Sequence, residues 1–434
     1  MALGSVCGCR LGRVSARSRV SPGRHGRIRA RLTETERPAP RYDIAVTGAA
    51  TYREIDAKSI TRVAGTTDPW FLGRYGMNLY RGCEHGCLYC DGRAERYHVG
   101  GDFDREITVK RNAVRVLDAE LGRIREPGFV FLGGGVSDAY QPAEARFRLA
   151  RGVLELALKH HLPVHVLTKS ALVERDLDLL EQINQDTRAI LSFSVQTLDE
   201  AVRARFEPGA APLDARWRLL AEGERRGLAT GVMAMPVLPG ISDQPDAIER
   251  LVGRAREVDA DFVCLGGLTL RPGAQKETLL AAIAEHCPQH AEGYRRTYAA
   301  ERPSGAADPR YYRRLDERFR LALQRHGLPD RPPRRLFSGL VPCYVEAAVL
   351  LEHQEHARSL EGERRARLDL AGIAIQRWAR GRFAASRRRG YDWRSVEQEL
   401  RAAAADRSML SWPGMTEAAL ASVEEILATI ALRR

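Results

Sequence analysis

Six short apolar runs recur along the middle of the chain, and each ends in a polar or glycine-bearing loop. Tyr75–Tyr80 runs into Gly82, and Phe129–Leu132 into Gly133, Gly134 and Gly135. Val164–Leu167 leads to Thr168-Lys-Ser170, and Ala189–Val195 to Gln196 and Thr197. Gly231–Val237 leads to Leu238-Pro-Gly240, and Phe262–Leu265 to Gly266 and Gly267. Helical patterns lie between them, such as Glu144 to His160 with Leu149, Val153, Leu156 and Ala157 on one face. Strand, loop and helix in repetition give a parallel α/β sheet whose strands are buried on both faces. Such sheets bind ligands at the carboxyl ends of their strands, where all of these loops fall.

The first of those loops carries Cys83, Cys87 and Cys90 in the spacing C-x-x-x-C-x-x-C. Three thiolates this close can hold three irons of a [4Fe–4S] cluster and leave the fourth open to a small molecule. A structural zinc wants four nitrogen or sulfur ligands, usually in two pairs. His85 and His98 keep a Cys3His zinc site as the alternative, although no second pair lies close. A disulfide framework is disfavoured, because the chain has 8 cysteines in 434 residues and three are crowded together. The thiols therefore point to a reducing compartment, and a cytoplasmic location is expected.

The residues around the triplet extend the reading. Gly82 and Gly86 let the backbone fold tightly, and Tyr89 offers an aromatic face next to the last cysteine. C-x-x-x-C-x-aromatic-C on the loop after a first strand resembles the radical S-adenosylmethionine (SAM) superfamily. That resemblance implies an α/β fold, a partial (β/α)6 barrel with a mostly helical C-terminal extension. It implies metal ligands Cys83, Cys87 and Cys90, with the open iron chelating the amino and carboxylate groups of SAM. One electron then cleaves the sulfonium, and the resulting 5′-deoxyadenosyl radical abstracts hydrogen. It sets Tyr89 against the adenine, although Tyr89 also reads as a packing aromatic. It implies that Gly133, Gly134 and Gly135 bind the methionine amino group. Val136 replaces the usual acidic residue there, so Ser137 or Asp138 substitutes. Ser192, Ser194 and Gln196 share one strand face. Their polar groups suit the ribose or carboxylate of SAM, while Thr197 and Asp199 also read as a helix start.

A narrower resemblance rests on Ser137-Asp-Ala-Tyr-Gln-Pro-Ala-Glu144, Leu167-Thr-Lys-Ser170, Arg175-Asp176, Phe206-Glu-Pro-Gly209, Arg216 and Pro236-Val-Leu-Pro-Gly240. Together, over about Arg62 to Gly273, they look like the spore photoproduct lyase-like branch. That likeness implies a lyase acting in DNA repair or another modification of a nucleic acid. It sets Lys169 and Arg216 near the SAM carboxylate or a substrate phosphate, with Glu207 orienting either; a surface ion pair is the plainer reading. Related lyases use a further cysteine as hydrogen donor, and Cys343, between Pro342 and Tyr344, is the candidate over Cys264 and Cys287. A one-electron reductant such as a flavodoxin or ferredoxin is the implied partner.

The formal net charge is +12, which suits a polyanionic partner. Part of that excess is local, since Glu34 is the first acidic residue. Residues 1–40 read as a disordered basic tail with transit-peptide-like composition but without a secretory apolar core. Residues 41–74 are a lead-in with a turn at Asp68-Pro-Trp70, 75–287 the barrel, and 288–434 a helical region. In that region Gln376–Phe383 and Ser386–Trp393 interleave arginines with aromatics, as nucleic-acid surfaces do; a helix with a solvated arginine face is the alternative. No stretch is long and apolar enough to span a membrane. The competing function is a non-catalytic nucleic-acid-binding protein with a metal knuckle.

Overall fold

The computed structural model describes residues 50–133, 136–360, 368–386, 391–405 and 417–430. The basic tail, Gly134, Gly135 and residues 387–390 lie outside them. The described residues all belong to one compact unit.

Ten strands run in chain order: β1 Thr51–Ile55, β2 Thr61–Val63, β3 Gly73–Met77, β4 Tyr80–Arg81, β5 Glu106–Lys110, β6 Phe129–Leu132, β7 Val164–Thr168, β8 Ala189–Ser194, β9 Ala229–Val237 and β10 Phe262–Gly267. The main sheet has the order β10-β9-β8-β7-β6-β3-β2. Six of its strands are parallel, from β3 to β10, and β2 closes the edge antiparallel to β3. The edge strands β10 and β2 do not pair, so this is the open, partial barrel that the family resemblance implies. A second sheet, β1-β5-β4, joins a strand of the stretch read as lead-in to strands just before and after the cysteines.

Alternation along each parallel strand assigns its two faces. Val130, Leu132, Val164, Val166, Leu191, Phe193, Val232 and Val263 face outward and pack against the crossover helices. Phe129, Ile190, Met233, Phe262 and Cys264 face inward and share a core with Phe337, Tyr344, Val345, Ile375 and Val423. The C-terminal helices Cys343–Leu360, Leu368–Ala385 and Glu417–Thr429 therefore cover the lower part of the inner face. The earlier helix Pro309–His326 instead joins the outer core through Leu315 and Phe319. At the carboxyl ends of the strands the inner face stays open as a cavity. Among the described residues, no helix is long and apolar enough to cross a membrane.

Candidate active site

The cysteine loop is shaped by its glycines and held through its own backbone. Gly82 and Gly86 adopt φ of +79° and +61°, where a side chain would be strained. Gly86 N donates to Cys83 O at 3.1 Å, and Cys90 N to Cys87 O at 3.2 Å. Three side chains add bonds to carbonyls of the loop. Gln141 Nε2 donates to Gly82 O at 3.1 Å, Arg93 Nε to Cys87 O at 3.0 Å, and Gln275 Nε2 to Tyr89 O at 3.0 Å. Arg93 Nη2 also reaches Asp104 at 2.6 Å. Gln141 falls within the Ser137–Glu144 run, but Arg93 and Gln275 carry no motif of their own, because a backbone carbonyl can be served by any long donor. Only the fold identifies them.

A second loop lies directly under the first. It is the segment after helix Glu200–Phe206, whose first turn is capped by Asp199 accepting from Ala201 N and Val202 N. Leu88 N donates to Phe206 O at 3.0 Å, and Gly209 N to His85 O at 2.9 Å. A Cβ on Gly209 would collide with Glu84 O, so the two backbones sit as close as glycine allows.

The cavity at the strand ends has a volume of about 330 Å³ and is lined by all three cysteines, His85 and Tyr89. Of the other residues singled out in the sequence, Ser137, Asp138, Lys169 and Ser194 also line it. Lys169 Nζ lies 5.8 Å from the Tyr89 ring centroid. Burial opposes its charge, but Cys87 and Glu207 outweigh that and hold its pKa above the ordinary lysine value. Ser194 Oγ donates to Met235 O at 2.7 Å, and Ser137 Oγ to Tyr80 O at 3.1 Å. Asp138 accepts from Thr168 Oγ1 at 2.8 Å and Lys169 N at 2.9 Å, so its carboxylate braces the β7 loop.

The remaining candidates lie elsewhere. Ser192 Oγ is 2.8 Å from His165 Nε2, and His165 Nδ1 is 2.8 Å from Phe71 O. Ser192 and His165 are fully buried in the barrel interior and do not line the cavity, whereas the half-buried Phe71 does. Gly133 packs over the Phe131 ring and Leu167 and is not on the wall either. Arg216 is fully buried, and each of its three guanidinium nitrogens donates within the protein, to Ala211 O at 2.9 Å, Ser194 O at 2.8 Å and Glu207 at 2.5 Å. It does not line the cavity. Cys343 opens the helix Cys343–Leu360 inside the C-terminal core, where its N–H donates to Glu397. It is not among the cavity-lining residues. In the basic segment, Trp378 and Phe383 pack on the core and Gln376 accepts from Thr67 N at 2.9 Å. Arg380 is half-buried against Gln376 and Glu126, leaving Arg377 and Arg382 exposed.

A family model described as the radical SAM superfamily matches residues 77–252. An uncharacterized protein of Mycobacterium tuberculosis strain H37Rv is 30% identical over 312 residues, covering 70% of this chain and 88% of its own. An uncharacterized protein of Methanocaldococcus jannaschii is 24% identical over 184 residues, covering 42% of this chain and 66% of its own.

The chain belongs to the radical SAM superfamily.

Among solved structures, a spore photoproduct lyase complexed with dinucleoside spore photoproduct aligns with TM-score 0.46 and 14% identity, covering 64% of this chain and 80% of its own. Radical SAM enzymes use a [4Fe–4S] cluster and SAM, and they need a one-electron reductant. The donor set fits the cluster. Cys83, Cys87 and Cys90 are all free and all line one cavity. Burial pushes the Cys87 thiol up to about 12 and raises the other two, so as bare thiolates they are unfavourable and need cationic charge beside them. Among the described residues, no group of three or more His, Cys, Asp or Glu gathers around a single ion. A cubane spreads its protein sulfurs over three separate irons, so this arrangement does not speak against it.

Proposed function

We propose that this radical SAM enzyme cleaves SAM reductively at the Cys83–Cys87–Cys90 cavity and abstracts hydrogen from a substrate that enters from an adjoining groove. When bound, the cluster supplies one electron to the sulfonium of SAM and so generates the hydrogen-abstracting 5′-deoxyadenosyl species. The residues of this chain prepare the cavity for that event. Tyr89 and Lys169 form one wall, the β7 loop is braced by Asp138, and the inner face below is sealed by apolar packing that keeps water out.

The observation that carries the reading is the shared cavity of the three free thiols, Tyr89 and Lys169. Its size supports a separate substrate space. About 330 Å³ is near the low end of ligand-pocket volumes, which leaves little room for a large substrate beside a cluster and SAM. A groove of about 710 Å³ shares Phe71 and Phe131 with the cavity, and these two rings stack with centroids 5.0 Å apart. Arg62 and Arg377 lie on the groove and are exposed, with no ion pair among the described residues. They and the motif likeness to spore photoproduct lyase-like proteins support a nucleic-acid substrate and lyase-type chemistry. Asp68 and Glu352 also line the groove, so any phosphates are met at the arginine side. A flavodoxin or ferredoxin is the expected class of electron donor.

The test measures 5′-deoxyadenosine release by anaerobically reconstituted protein with thymine-dimer-containing DNA, plain DNA or no DNA. A rate raised by the damaged DNA alone is expected. Equal rates in all three arms would overturn the nucleic-acid reading while leaving SAM cleavage intact.

A further inference from the structure

Glu207 is a carboxylate that touches the cysteine loop through the Tyr89 side chain. It is fully buried and carries two bonds. The Tyr89 hydroxyl donates to Oε1 in a short contact, and Arg216 Nη2 donates to Oε2 at 2.5 Å. Arg216 is anchored in turn to the end of β8 through Ser194 O at 2.8 Å and to the following loop through Ala211 O at 2.9 Å. Arg203 Nη1 fixes the backbone of the same turn, donating to Glu207 O and Ala210 O at 3.0 Å each. A continuous chain of charge-assisted hydrogen bonds therefore runs from the sheet to the phenol of Tyr89.

The aromatic ring itself lines the cavity. Lys169 Nζ stands 5.8 Å from its centroid, while Glu207 holds its hydroxyl end. With the hydroxyl tethered, the ring can neither tip into the cavity nor withdraw from it. A phenol needs no partner this elaborate merely to be packed; a single backbone carbonyl satisfies a buried hydroxyl. Burying a carboxylate and a guanidinium together is also a poor way to gain stability, because both lose water. A fixed geometry is what such a pair provides well.

We propose that Glu207 is a positioning residue for the SAM-binding wall: it sets the pitch of the Tyr89 ring, and through that ring the affinity of the cavity for SAM. The inference rests on the SAM reading of this cavity. Arg216, expected from the sequence to meet a carboxylate or phosphate of a ligand, instead serves that carboxylate from behind.

The test compares wild type, Glu207→Gln, Tyr89→Phe and the double variant, each reconstituted anaerobically. Iron per chain and the dissociation constant for SAM, measured by equilibrium dialysis, are the readouts. Glu207→Gln and Tyr89→Phe are each expected to keep their iron and to bind SAM at least about tenfold more weakly. The double variant is expected to match the weaker single variant, because both changes break one linkage. Additive losses would overturn the proposal, as would unchanged affinity in Tyr89→Phe. If Glu207→Gln fails to fold, Tyr89→Phe alone decides, since it removes one hydroxyl and leaves the ion pair in place. A loss of iron with unaltered SAM affinity per cluster would mean that Glu207 is only structural. Wild-type protein that carries its iron yet binds no SAM would instead refute the underlying reading of the cavity.

Discussion

Burial decides how individual side chains behave here. Cys87 is enclosed in the cavity wall with its thiol pushed up to about 12, so it holds metal or stays protonated. Cys87→Ala is expected to remove the brown colour and most of the iron on reconstitution, with SAM cleavage falling below detection; retained cleavage would contradict the ligand assignment. Two histidines report burial in another way. His165 and His353 are held down to about 4, chiefly by loss of water, against an ordinary 6.5, so both are neutral in the folded protein. Their folded values lie below their unfolded ones. The stability they permit is therefore complete above about pH 6.5 and is lost as the pH falls toward 4. Denaturant unfolding should show a loss of about 2 kcal/mol per histidine between about pH 7.5 and pH 5. His165→Gln should flatten that slope, and a wild-type midpoint independent of pH over this range would refute the buried neutral state.

At the scale of elements, the cysteine loop depends on the loop after helix Glu200–Phe206. The approach of Gly209 to Glu84 O leaves no room for a methyl group. Gly209→Ala should cost roughly 1–3 kcal/mol and slow iron incorporation, because the crowded neighbour is backbone and cannot rotate away. Thermal unfolding of the apoprotein and iron uptake check this, and wild-type values for both would contradict it. The parallel strands were legible in the sequence for a physical reason: buried on both faces, Val164–Thr168 and Ala189–Ser194 read as continuous apolar runs. β1 and β2 were not. Their residues are exposed or half-buried, and β1 pairs with a strand some fifty residues away, Thr51 opposite Glu106. No local pattern marks such a strand. The site divided along the same line. Cys83, Cys87, Cys90, Tyr89 and Lys169 stood out because chemistry restricts the residue type. Arg93 and Gln275 did not, since they serve backbone carbonyls. Near Gln376–Phe383 the arginine and aromatic pattern divides: Trp378, Arg380 and Phe383 are packed, while Arg377 and Arg382 are exposed.

The whole molecule is an open sheet closed from below. C-terminal helices cover the inner face at Phe129, Ile190 and Phe262, which leaves the strand ends as the deep opening that holds the cysteines. In the proposed function, electron entry, SAM and substrate meet at that one end, where the thiols, Tyr89 and the Phe71–Phe131 pair adjoin. The central claim is that three thiols at this opening hold a cluster with one iron free for SAM. The direct measurement is chromatographic detection of 5′-deoxyadenosine after anaerobically reconstituted protein is mixed with SAM and dithionite. Time-dependent 5′-deoxyadenosine from wild type, absent in Cys87→Ala, is the expected result. A colourless, zinc-bearing protein that leaves SAM intact would contradict it.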